Sequence, residues 1–161
     1  MLPKPDDCIG CPFYGDGRGF VPDELPESPA QVVFVCQNPG EVEEVQGRPL
    51  VGPTGQMLRT RFVARHLPGV LVTYANIVKC RVLLTRDGKT FHSNNLPPLG
   101  SPLWRRVVEQ CSGYLKKTLE ACPNAIVVPM GEHAALALTG RKAKAMLHLR
   151  GTLLVNDDAR K

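Results

Sequence analysis

The sequence predicts an α/β fold: three layers, α/β/α, around a central, mostly parallel sheet of four strands. Three observations carry this expectation. Short apolar runs of strand length alternate with segments of helical period, the order that gives parallel sheets. The chain has 161 residues, 43% of them hydrophobic, enough for one domain with a real core. No internal repeat and no low-complexity linker divides it, so residues 1–161 read as a single domain.

The elements follow in order. Residues 1–29 read as an irregular arm punctuated by Gly15, Gly17 and Gly19. Residues 31–36 form an apolar run bounded by turn residues, a buried strand. Residues 39–55, PGEVEEVQGRPLVGPTG, read as a loop. Residues 56–66 place Met57, Phe62 and Val63 at helical spacing among basic residues. A second strand is expected over 70–77 and a mobile excursion over 83–101. A strong amphipathic helix covers 104–121, and a third strand covers 125–130. A short alanine-rich helix spans 132–139 and is ended by Gly140. A fourth strand is expected over 147–155.

Bulk properties narrow the function. No apolar run is long enough to span a bilayer. The N-terminus lacks a signal peptide's apolar core, so a cytoplasmic, membrane-free protein is expected. The net charge of +5 and sequence pI near 9.0 favour a polyanionic partner.

Six cysteines in a reducing compartment need a reason. Cys8-Ile9-Gly10-Cys11 lies in a loop-like segment rather than at a helix start after a strand, which argues against a thioredoxin-type pair. Cys80 and Cys111, in polar surroundings, are the better candidates for two further thiolate ligands. Cys36 and Cys122 read as packing residues.

In parallel sheets, ligands bind beyond the carboxyl ends of strands. That rule gathers Gln37-Asn38-Pro39-Gly40, Asn76 and Met130-Gly131 at one edge. Either amide alone reads better as a turn cap, while Asn38 and Asn76 together read equally well as caps or as a pocket.

Seven motifs, read in order, resemble the uracil-DNA glycosylase superfamily, and its iron–sulfur family 4 branch most closely. They are Cys8-x-x-Cys11, Cys36-Gln37-Asn38-Pro39-Gly40-Glu41, Gly47-Arg48-Pro49-Leu50-Val51-Gly52 with Gly55, Ala75-Asn76-Ile77-Val78-Lys79-Cys80-Arg81, Cys111, Met130-Gly131 with Ala134, and Leu149-Arg150-Gly151. The resemblance implies a DNA-repair hydrolase that releases uracil from DNA, acting as a monomer. It implies that Cys8, Cys11, Cys80 and Cys111 hold a [4Fe–4S] cluster, with zinc the alternative that four thiolates also suit. It implies that Asn38 positions water and that Asn76 reads uracil. Gln37, Pro39, Gly40 and Leu50 shape the pocket. Arg48, Arg59, Lys79 and Arg81 are the candidates for phosphate contacts, with the helix patch Arg105, Arg106, Lys116 and Lys117 reading as a solvated face.

Three departures from the family pattern stand out. Gln37 replaces the family glutamate. Leu50 replaces a phenylalanine that stacks on the base. The chain also lacks, after Arg150-Gly151, the family's His-Pro-Ser segment, and neither His133 nor His148 matches it. The expectation is slow turnover, or a non-catalytic iron–sulfur module that binds DNA or protein. Glu41, Glu43 and Glu44 read as a solvated acidic loop.

Overall fold

The computed structural model describes residues 3–15, 19–86, 89–93 and 95–140. Its centre is a parallel sheet in the order β2–β1–β5, with β1 at Val32–Cys36, β2 at Val72–Asn76 and β5 at Ile126–Pro129. The register sets Cys36 beside Asn76 and Val35 beside Pro129. This described sheet has three strands rather than the expected four. The fourth strand expected over 147–155 lies outside the described residues, as do His148 and the Leu149-Arg150-Gly151 motif.

Strand alternation sorts side chains onto two faces. Val33, Val35 and Ala75 pack with Trp104, Val107, Cys111, Leu115 and Ala134. Val32, Phe34 and Tyr74 pack with Leu50 and Leu58 on the other side. Helices thus cover both faces, as the layered reading requires. One face is covered by α4 (Pro102–Glu120) and α5 (Glu132–Thr139). The other is covered by a continuous helical stretch: α2 (Pro53–Met57), a π-helical segment (Leu58–Val63) and α3 (Ala64–His66).

The sequence logic of α4 is direct. The Ser101 hydroxyl accepts a hydrogen bond from the Trp104 amide at 3.2 Å, and Pro102 sits in the first turn. Its buried residues Trp104, Val107, Cys111, Leu115 and Thr118 recur every three or four positions, one helical stripe. Gly140 closes α5 in a left-handed conformation, φ 66°.

Two expectations change. The segment 39–55 is not all loop, because α1 (Glu41–Gln46) lies within it. The Glu43 carboxylate accepts from the Gly40 amide at 3.1 Å, capping α1 at its start, and Gly47 ends it at φ 67°. The excursion at 83–101 contains an antiparallel pair, β3 (Val82–Arg86) and β4 (Lys89–Ser93). The Asp87-Gly88 pair between them is the sequence signal for a hairpin. Among the described residues, no helix is long and apolar enough to cross a membrane.

Candidate active site

At the carboxyl ends of β1 and β2 lies a cleft of about 720 Å³ whose lining includes Gln37, Asn38, Leu50, Asn76, Asn95 and Met130. The first turn after β1 is held rigidly. The Cys36 carbonyl accepts from the Ile77 amide at 2.9 Å, and the Gln37 carbonyl accepts from the Val78 amide at 3.0 Å. The ladder between β1 and β2 therefore continues past the strands and fixes Asn38 relative to Asn76. Gly40 also lines the cleft, while Pro39 is buried.

Both amides are buried, Asn38 at 8% and Asn76 at 2% exposure. Asn38 Nδ2 donates to the Pro39 carbonyl at 3.0 Å, which fixes which way its amide faces. Asn38 Oδ1 and Asn76 Nδ2 have no hydrogen-bond partner among the described residues. A buried polar atom without a partner is costly, so one acceptor and one donor stand ready for a ligand in the same cleft. Cys36 also lines the cleft, but its burial, helped by the Glu43 charge, pushes its thiol up to about 12. It is a packing residue, not a nucleophile.

The opposite wall is the loop 47–55. Leu50 adopts φ 53°, a left-handed conformation rare for a residue with a branched side chain. It is held there from several directions. The Glu43 carboxylate accepts from the amides of Val51 at 3.0 Å and Gly52 at 2.7 Å. Arg59 donates to the carbonyls of Leu50 at 2.8 Å and Pro49 at 2.9 Å. Gly55 lies so close that a Cβ there would sit 1.9 Å from the Leu50 carbonyl oxygen. The acidic segment is thus a brace rather than a solvated loop. Glu43 is bound to three backbone amides, and Glu44 is 2% exposed with a carboxylate oxygen 3.7 Å from Arg81. Only Glu41 is open to solvent, 3.6 Å from Arg81.

A sequence model of the Uracil DNA glycosylase superfamily matches residues 22–158. The chain belongs to that superfamily. It is 30% identical over 128 residues to the Type-4 uracil-DNA glycosylase of Archaeoglobus fulgidus, covering 80% of this chain and 56% of the relative. The Type-4 enzyme of Saccharolobus solfataricus is 29% identical over 131 residues, 79% of this chain and 52% of its own length. That of Pyrobaculum aerophilum is 28% identical over 148 residues, 90% of this chain and 67% of its own length. The chain thus spans between about half and two thirds of the length of these curated relatives.

For a superfamily member, the basic residues fall unexpectedly. Lys79 is 1% exposed and paired with Asp23 at 2.5 Å, so it cannot offer its charge to a phosphate. Arg59 forms a two-toothed pair with Glu24 and lies 3.7 Å over the Tyr74 ring, bracing the Leu50 loop. Those two candidates for DNA contact are corrected to structural residues. Arg48 is exposed but paired with Glu24 at 3.1 Å, and Arg81 is mostly buried against Glu41 and Glu44. Asp23, Glu24, Glu43 and Asn95 were not singled out in the sequence. Asp23 and Glu24 sit in an irregular arm whose side-chain partners lie 24 to 95 residues away. His133 Nδ1 accepts from Trp104 Nε1 at 2.7 Å, tying α5 to α4.

A second cavity gathers the four singled-out cysteines. Cys8, Cys11, Cys80 and Cys111 line it together with Lys4, Phe13, Tyr14, Phe20 and Lys79. Tight turns place the first two, with the Cys11 amide donating to the Cys8 carbonyl at 3.0 Å. The Lys4 ammonium ties the segment back to the Tyr14 carbonyl at 2.8 Å. No disulfide links any of the six cysteines. Among the described residues, no three Cys, His, Asp or Glu donors converge closely enough for a single ion.

Proposed function

We propose that this chain removes uracil from DNA by hydrolysing the N-glycosidic bond, leaving free uracil and an abasic site. The observation that carries the reading is the pair of unpartnered amide atoms, Asn38 Oδ1 and Asn76 Nδ2, buried at the lining of one cleft. A glycosylase must draw the base out of the stack and hold its Watson–Crick edge. In this reading Asn76 donates through Nδ2 to uracil O4 and accepts N3–H through Oδ1. Cytosine reverses that donor–acceptor pattern and would leave the amide unpaired. Asn38 Oδ1 accepts from a water and aims it at the sugar. An amide orients water but takes no proton effectively, so catalysis depends on stabilising the departing uracil anion, and turnover is slow. Leu50 gives apolar contact to the base without an aromatic face.

Cys8, Cys11, Cys80 and Cys111 would hold a [4Fe–4S] cluster. Four thiols on one cavity suit iron–sulfur chemistry. Zinc, which four thiolates also suit, is the alternative. When bound, the cluster supplies a cross-link between the arm, the end of β2 and α4. Iron content with broad absorbance near 400 nm in anaerobically purified protein supports this; a colourless protein with stoichiometric zinc refutes it. We further propose that the chain acts as a monomer.

The deciding experiment incubates the protein with DNA carrying one uracil and then cleaves abasic sites with alkali. Strand breaks are expected, with the Asn38→Ala variant losing them and Asn76→Asp losing its preference for uracil. A second reading, a non-catalytic module that binds DNA, draws on Gln37, which places an amide where a carboxylate would act as a base. DNA binding without strand breaks at high enzyme concentration would favour it.

A further inference from the structure

The amide that reads the base in this proposal has a free Nδ2, so no hydrogen bond from that atom to the described protein fixes its direction. Its aim must come from the backbone that carries it. That backbone is gripped on both sides by one buried ion pair. Asp23 Oδ1 accepts from the Asn76 amide at 3.3 Å and from Lys79 Nζ at 2.5 Å. Lys79 Nζ also donates to the Asn76 carbonyl at 2.5 Å. The other carboxylate oxygen, Asp23 Oδ2, accepts from the Thr118 hydroxyl of α4 at 2.6 Å. The Asp23 and Lys79 side chains are 5% and 1% exposed. The arm that carries Asp23 is itself pinned along β2, with the Val21 amide donating to Lys79 O at 2.8 Å and the Glu24 amide to Tyr74 O at 3.0 Å.

A buried ion pair is a poor source of net stability, since desolvation offsets its attraction. A hydrophobic pair would fill the same space without that cost. What the ion pair supplies is direction: a carboxylate accepting three hydrogen bonds and an ammonium donating to a peptide carbonyl permit one arrangement of the Asn76 peptide.

We propose that Asp23 is a positioning residue, which through Lys79, Thr118 and the Asn76 peptide sets the angle at which Asn76 presents its amide to the base. This rests on the uracil-reading role given to Asn76 above. The role explains why the acidic residue lies in the arm, outside the strand it serves.

The test uses Asp23→Asn, and Thr118→Val as the milder change should the unpaired Lys79 prevent folding of the first. Preference is read as binding to DNA containing 2′-fluoro-deoxyuridine, a base the enzyme cannot remove, over the same DNA with cytosine. Each variant is also made in an Asn76→Ala background. Positioning predicts a loss of uracil preference of about 10- to 100-fold in the wild-type background, as for other misaligned groups, and none in Asn76→Ala. It also predicts a lower NMR order parameter for the Asn76 side-chain amide, with that of Asn38 unchanged. Equal losses in both backgrounds, or an Asn76 amide as ordered as in wild type, overturn the proposal. If wild type shows no uracil preference, the reading of the site falls instead. The Asn76 order parameter then decides the positioning claim alone: a fall upholds it and no change overturns it.

Discussion

The two walls of the cleft are built by opposite means. Asn76 ends a regular strand, in register with β1, and is gripped by a buried ion pair. Leu50 stands on an irregular loop in a left-handed conformation and is held by charged side chains reaching its backbone. The polar wall is well fixed because its backbone is ordinary and the ion pair that grips it is buried. The apolar wall is strained, and it persists only because Glu43, Arg59 and the bare face of Gly55 each remove an alternative. Hydrogen bonding to a base tolerates little misalignment, whereas apolar contact tolerates more. The division of labour follows that difference.

Four measurements break or sharpen this contrast. The largest effect is expected for Lys79→Ala, which leaves Asp23 buried without its cation. Unfolding in urea should show a loss of about 3–5 kcal/mol. A loss near zero would mean the polar wall does not depend on the pair. Gly55→Ala comes next, since its methyl would collide with the Leu50 backbone. A cost of about 1–3 kcal/mol is expected, with hydrogen exchange faster in 47–55 and unchanged at Asn76. Arg59→Ala removes two bonds to loop carbonyls along with the Glu24 pair, and should cost about 1.5 kcal/mol with faster hydrogen exchange in 47–55. The smallest effect is one of pH. Burial pushes the Glu24 carboxyl up, but the hydrogen bonds and charges of Arg59 and Arg48 outweigh it and hold it below the ordinary carboxylate range. A carboxyl lowered by folding adds stability above its unfolded pKa and loses it as pH falls through the folded value. Wild type should therefore lose up to about 1 kcal/mol more than Glu24→Gln on acidification below about pH 4.

Much of the polar wall was legible in the sequence. An apolar run ending in Asn38 and another ending in Asn76 sufficed, because strand ends in a parallel sheet meet at one edge. Helix α4 was legible from its stripe, though its start at Ser101-Pro102 was missed. The apolar wall was not legible. Arg59 reads as a surface cation among helical residues, and only the folded chain brings Glu24 to it across 35 positions. Lys79 likewise reads as a solvent-facing base until Asp23 and the carbonyl of Asn76 surround it. Helix α1 escaped notice because six residues between glycines carry too little periodicity to register. The β3–β4 pair escaped because polar and Pro-rich neighbours outweighed a short alternating run.

The wide turn at Leu58–Val63 has a consequence for how the chain tolerates changes in length. A π-helical turn is an ordinary helix with one residue inserted, its flanks still in phase. Deleting one residue there lets the coil tighten to normal pitch while Leu58 and Leu67 stay in the apolar cluster that holds Val32 and Phe34. The same deletion within α4 has no such slack: every later side chain would swing by about 100°, carrying Cys111, Leu115 and Thr118 out of line.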